Sequence, residues 1–481
     1  MSGVTRTRGR HAIATLVGAV PIFFAAVAAS SWGSPVVLDL FAAVVARGAP
    51  LADPPLLLRA VRVADARAWR PTALSDVRVR AGRVSSVAPA GSIVPAPDER
   101  IIDGRGRTLT PGLVDARSEI VYRDPLRRAL PPSVVRDSLR AQVRAGVTSV
   151  RDLGSPLAAA GRLRAALGRR LIGPAAVLSG PWVVLASTPD ELDDPHRSAL
   201  EQRVVEDAGE VTDAVDAAAA GGATWLAVRP PASLEGPGTR TRLDALAREA
   251  RARGLDLAVR TVDEASLRWA LAAGARSVDE LADCPAELPD ELIGQIVRSG
   301  AVVVPLAHLA RVRDVGSNGE YELDKQTRWI GRASWWGELA RLDRAIRSRH
   351  DGPADRDRAQ ARLQRLRGNL SRLVAAGVPI AMGTGAPSAF AFPERPGDEI
   401  AELVNAGLSG VALAEACTLG GARLVSRDEP LAVVAEGAPA SLVVWDCDPL
   451  DDARCYQRPA WVVVAGRVVE GRTIQSARPF L

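Results

Sequence analysis

Between Gly146 and Gly385, short apolar runs alternate with Ala/Leu/Arg-rich stretches of helical character, and this pattern restricts the fold more than any other feature of the chain. The runs are GVTSVRDLG, AAVLSG, GGATWLAVRP, LDLAVRT, GARSVDEL, GAVVVPLAH and GVPIAMGTG; Leu157 to Leu167 and Thr239 to Arg253 are two of the helical stretches. A strand followed by a helix returns to a neighbouring parallel strand, and about eight such repeats predict an α/β fold of the (β/α)8, TIM-like barrel type. The flanks follow a different period. LLLRAVRVADA, DVRVRAGRVSSVAPA and ERIIDGRGRTLTPGLVDA, from Leu56 onward, alternate roughly every two residues between Gly, Asp and Pro breaks. ASLVVWDCDPL and RPAWVVVAGRVVEGR behave alike near the other end, so both termini read as hairpins of a small sheet.

The first thirty residues stand apart. Arg6, Arg8 and Arg10 precede an uncharged run from Ala12 to Trp32, which has the shape of a signal peptide or of a retained membrane anchor. Ala26, Ala28 and Ser30 offer cleavage registers, and Pro21 leans toward the signal peptide. The basic flank predicts that residues 1–32 meet the membrane and that the bulk of the chain is exported, periplasmic or extracytoplasmic, after a linker at 33–55. Cys447 and Cys455 would be able to pair in such an oxidising compartment.

Composition removes several chemistries. The basic side carries 61 residues against 56 acidic ones, yet Lys325 is the only lysine, and the histidines are His11, His196, His308 and His350. No phosphate loop, H-E-x-x-H, G-x-S-x-G or C-x-x-C occurs. A net charge of +5 with both signs interspersed and 4% aromatic residues predicts a solvated surface and no nucleic-acid partner. Nothing in the sequence sets the oligomeric state.

The order of these segments resembles the amidohydrolase superfamily, in its imidazolonepropionase-like and Xaa-Pro-dipeptidase-like branch. The resemblance rests on IIDGRGRTLTPGLVDA (Ile101 to Ala116), AGVTSVRDLG (Ala145 to Gly154), NLSRLVAAGVPIAMGT (Asn369 to Thr384), and VVWDCDPL followed by VVVAGRVV. It implies a barrel over 111–424 and a composite β-sandwich from 56–110 and 425–481. It also implies one or two divalent metals at the barrel mouth that activate water against a carbon–nitrogen bond. This chain departs from the pattern at each ligand position. Arg117 and Glu119 stand where the first strand's His-x-His is expected, Ala227 at the carboxylated lysine, Arg260 and Glu280 at the fifth- and sixth-strand histidines, and Gly385 at the eighth-strand aspartate. The expectation is therefore a lost metal site with no cofactor, and a protein that has kept the scaffold without the catalysis. The alternative is a metal-free hydrolase using Glu119 or Glu280 as base and Arg260 as oxyanion partner.

The replacements share one property. Strand period puts Arg117 and Glu119 on one face, and neighbouring strands carry Arg260 and Glu280, so two guanidiniums face two carboxylates. That predicts a salt-bridged plug; the alternative is a small anionic ligand held by an arginine left open. Four further readings are structural. Asp152 supports a turn, His196 lies on a surface loop, Trp329, Trp335 and Trp336 pack a helical lid, and Leu363, Leu366, Leu370 and Leu373 form the dry side of an Arg-rich helix. His308, just past VVVP, lies near the mouth.

Overall fold

The computed structural model describes residues 55–70, 73–120, 132–167, 171–185, 202–231, 233–261, 263–281, 287–315, 353–386 and 391–471. The run from Ala12 to Trp32, nearly all of the 33–55 linker, His196 and the Trp329, Trp335 and Trp336 group lie outside them. Among the described residues no helix is long and apolar enough to cross a membrane.

Five strands open the described chain: β1 (Leu56–Val63), β2 (Leu74–Arg80), β3 (Arg83–Pro89), β4 (Arg100–Asp103) and β5 (Thr108–Pro111). Nine follow among the helices: β6 (Leu113–Ser118), β7 (Val147–Asp152), β8 (Ala175–Leu178), β9 (Trp182–Leu185), β10 (Gln202–Val205), β11 (Trp225–Arg229), β12 (Asp256–Arg260), β13 (Ser277–Asp279) and β14 (Val302–Val304). The last three are β15 (Leu442–Trp445), β16 (Pro459–Val464) and β17 (Arg467–Glu470).

Both chain ends contribute to one eight-stranded sheet in the order β17-β16-β15-β5-β1-β2-β3, with β4 also on β1. The join is the antiparallel pair β5–β15, in which Val443 lies opposite Thr110 and Val444 opposite Leu109. Period-two alternation turns Leu56, Leu58, Val77, Val79, Leu109, Leu442 and Val444 into a single buried cluster. Trp445, fully buried, anchors this sheet to the rest of the molecule. Its Nε1 donates to Thr110 Oγ1 at 2.8 Å and its ring meets Tyr456 edge-on at 5.3 Å. Gly146 passes so close that a Cβ there would lie 3.1 Å from the indole, and its φ of +95° is one that only glycine adopts readily. The excursion between β15 and β16 is closed by a disulfide between Cys447 and Cys455.

The remaining strands are parallel and fall in two sheets, β10-β9-β11-β12-β13-β14 and β6-β7-β8. The last apolar run, GVPIAMGTG, differs from the expected strand. Residues 379–386 form no ladder; a single bridge joins Ile380 to Val303, and Ala116 N–H donates to Met382 O while Gly385 N–H donates to Arg117 O. Local chemistry accounts for this. Pro379 brings no N–H, and Gly385 takes a left-handed φ of +66°, so regular pairing is interrupted at both ends. Between the strands the interior is built of small residues, Ala116, Ala227, Ala258 and Ala381, against Trp182 and Trp225. On the outside, the helix Pro353–Ala375 buries Leu363, Leu366, Leu370 and Leu373, as their helical spacing predicts.

Candidate functional site

Parallel strands end on the same side, and β6, β12 and β13 deliver their last side chains to one mouth. Arg117 points inward from β6 and its Nη1 lies 2.9 Å from Glu119 Oε1, two residues along the same face. Its Nη2 lies 3.6 Å from Glu280 Oε1, just beyond β13. The other oxygen of Glu280 is 2.6 Å from Arg260 Nε, at the end of β12. The four residues therefore form a chain, Glu119–Arg117–Glu280–Arg260, in which Glu280 is shared by both guanidiniums. Arg117 is further held by the Leu153 carbonyl, which accepts from its Nη1 at 3.3 Å, and by the face of Trp182 at 5.0 Å.

Burial sets the electrostatics. It works against the charge on Arg117, but Glu119, Glu280 and Asp279 together outweigh it and hold the guanidinium above its usual range. Burial pushes Glu119 up, against the pull of Arg117. Glu280 itself has a left-handed backbone, φ +60°, uncommon for a residue with a Cβ, while its N–H donates to Val304 O at 2.9 Å.

At Ala227 and Gly385, where the resemblance would put two further ligands, the surroundings are apolar. Ala227 is fully buried in register with Ala258, within the apolar cluster around Trp182 and Trp225. At Gly385 a Cβ would come within 3.1 Å of both Leu306 and Leu309 on a left-handed backbone. A side chain there would press on both leucine methyls, each of which would have to give by a few tenths of an ångström. The donor set thus does not fit a divalent ion. Its only two carboxylates already face guanidiniums, and among the described residues no group of three or more His, Cys, Asp or Glu side chains could hold a metal.

The mouth rests on a layer of buried charge that sequence reasoning missed. Arg151, fully buried, reaches across the interior from β7; its Nε donates to Ala116 O at 2.6 Å, its Nη1 to Ser277 Oγ at 2.6 Å and its Nη2 to Asp279 Oδ1 at 2.7 Å, while Trp225 lies 4.6 Å beneath. Asp115 accepts from Thr384 N and Oγ1 at 2.9 and 2.5 Å, pinning β6 to residues 379–386. Glu399 accepts from the N–H groups of Ala307 and His308, at 3.0 and 2.7 Å, at the start of the helix Ala307–Val315. His308 is buried there. The available signal for Arg151 was parity: it shares a strand face with Ser149, inward from a segment buried at every position.

Asp152 supports its turn by accepting from Ile120 N at 2.7 Å and Ser155 Oγ at 2.8 Å, and its second oxygen is buried without a hydrogen-bond partner. Burial pushes its pKa up to about 7, that of Asp115 to about 6 and that of Glu399 to about 8. An acid with a raised native pKa binds more protons folded than unfolded, so stability falls as pH rises from the unfolded value near 4 through the native one. We expect a decline between about pH 4 and 8, and Asp152→Asn, which keeps both accepted bonds, should flatten it and add about 1–2 kcal/mol at pH 7. Denaturant unfolding across that range would expose an error: an unchanged slope means that Asp152 is ionised in the fold.

Comparison with known proteins agrees with this architecture. A model of the amidohydrolase family matches residues 108–473. Among solved structures, a Xaa-Pro dipeptidase with bound methionine in its active site is 18% identical, with a TM-score of 0.67 over 87% of this chain and 100% of that one. Ochratoxinase from A. niger is 16% identical, with a TM-score of 0.66 over 90% and 100%, and bottromycin amidohydrolase is 22% identical, with a TM-score of 0.65 over 92% and 91%. Likeness at these identities establishes the fold, a TIM barrel with an added domain. No curated protein matches the sequence. The family match spans well over half of the chain, and the chain belongs to the amidohydrolase family.

Proposed function

We propose that this protein is an exported member of the family whose barrel has lost metal-dependent catalysis and works as a non-catalytic scaffold or binding protein. One observation carries the reading: the two carboxylates at the mouth are engaged by guanidiniums at 2.9 and 2.6 Å. A carboxylate so paired is a poor metal ligand and a weakened general base, which also argues against a metal-free hydrolase built on Glu119 or Glu280. The reading includes an eightfold barrel closed by residues 379–386 between β14 and β6, with Thr224 N–H to Leu178 O joining β8 to β11. It also includes a composite sandwich from 56–110 and 425–481. With zinc, manganese or nickel at micromolar concentration we expect no saturable rise in Tm and no hydrolysis of dipeptides or cyclic amides, since a specific ligand stabilises by mass action. A saturable shift with any one of these ions would overturn the proposal.

Export is supported by Arg6, Arg8 and Arg10 before the uncharged run to Trp32, and by the disulfide between Cys447 and Cys455. Residues 33–481 expressed alone should stay in the cytoplasm as a folded protein. Pelleting with membranes at high salt would show a second anchor.

A second reading has its own observation. The Nε of Arg117 is buried with no hydrogen-bond partner, so a small carboxylate or phosphate entering the mouth would find a donor waiting. Titration with acetate and inorganic phosphate tests it, and binding that survives Arg117→Met would discard it.

A further inference from the structure

At the barrel end opposite the charged mouth, a pocket of about 180 Å3 opens between the helices Pro353–Ala375, Gly410–Cys417 and Leu419–Val425. Val374, Ile380, Leu408 and Leu419 give it an apolar wall, and among the described residues its charged lining is Glu415 and Arg423. These two do not pair. Nearby, Arg276 and Arg427 converge on Asp256, whereas among the described residues neither Glu415 nor Arg423 enters an ion pair. Glu415 is held in place by one bond, accepted at Oε1 from Trp69 Nε1 at 3.3 Å, which leaves its second oxygen available. Arg423 is exposed, with its five-donor fork uncommitted.

An isolated anion and an isolated cation on one apolar pocket are complementary to a zwitterion with an apolar body. We propose that this pocket binds a free α-amino acid with an aliphatic side chain of about leucine size. The ammonium meets the open oxygen of Glu415, the carboxylate meets the guanidinium of Arg423, and the side chain covers the apolar wall. Size agrees: an apolar cavity of about 150 Å3 accepts benzene, so this one admits a ligand only slightly larger. Among the described residues the lining offers charge and apolar surface but no nucleophile, which suits a site that holds its ligand. Trp69 belongs to the loop after β1, and with Ala64 it packs on Ala414 and Leu450. A ligand on Glu415 would therefore brace the junction between sheet and barrel, where ligand sites commonly form.

The test uses the purified full-length chain in mild detergent, with L-leucine as the probe and thermal unfolding and calorimetry as readouts. Leucine should raise Tm saturably in the millimolar range. Leucine amide, which lacks the carboxylate, and N-acetylleucine, which lacks the ammonium, should each bind at least about tenfold more weakly, the scale of one lost charge-assisted bond. Glu415→Gln and Arg423→Met should each remove the leucine response. No saturable shift at tens of millimolar, equal responses to the three compounds, or a response that survives both substitutions would each overturn the proposal. The analogue series runs on the unmodified chain, so a poorly folding variant cannot hide the answer. None of these outcomes bears on the metal response at the opposite mouth.

Discussion

Arg151→Met is expected to destabilise the protein by about 3–5 kcal/mol, the usual cost of removing one member of a buried ion pair. The side chain is fully buried, as is its partner Asp279. Burial pulls the Arg151 guanidinium down and pushes the Asp279 carboxyl up, each toward its neutral form, in spite of their mutual attraction. Desolvation thus nearly offsets the pair, and what makes the single loss costly is the carboxylate left behind, together with the bonds to Ala116 O and Ser277 Oγ. A double variant, Arg151→Met with Asp279→Leu, removes both charges and should recover most of the loss. Denaturant unfolding decides between the two accounts. A single loss below about 1 kcal/mol would mean that water reaches this interior and the charge is solvated there.

The barrel and the shared sheet were legible because they are written in local periodicity. Alternating runs become β7, β8, β11, β12, β13 and β14, and the hairpins at both ends meet as β5 and β15. The last run, GVPIAMGTG, was less legible, since its apolar residues promise a strand that Pro379 and Gly385 prevent. At the mouth, parity alone put Arg117 beside Glu119, and strand order put Arg260 beside Glu280. Nothing local announces that Glu280 takes a left-handed backbone, because glutamate rarely does so. The buried acids Glu399 and Glu402 were hidden for another reason. In the helix Pro396–Asn405, Glu402 meets Arg311 and Arg367, while Glu399 caps a helix that begins 92 residues earlier. Partners so distant leave no trace in a local pattern.

Glu280→Gln should cost about 2–3 kcal/mol, because it takes a charged partner from two guanidiniums at once, and Arg260→Met about 1–2 kcal/mol, because Arg117 still serves the carboxylate that remains. The difference follows from position: Glu280 is shared by two guanidiniums, and Arg260 is the more exposed partner, with 19% of its side chain open to water against 9% for Glu280. If the four residues form a plug, the double variant Arg260→Met with Glu280→Gln should lie close to the Glu280→Gln single variant or above it in stability. The coupling between the two substitutions should then be at least about 1 kcal/mol. An arginine kept open for an anion behaves in the opposite sense. Its removal relieves repulsion with Arg117 and is neutral or stabilising, and the cycle becomes additive. Urea unfolding at low and at high salt separates the cases further, since screening weakens exposed pairs and leaves the buried Arg117–Glu280 contact nearly untouched. An additive cycle with a stabilised Arg260→Met would discard the plug and leave the mouth as a receptor for carboxylate or phosphate.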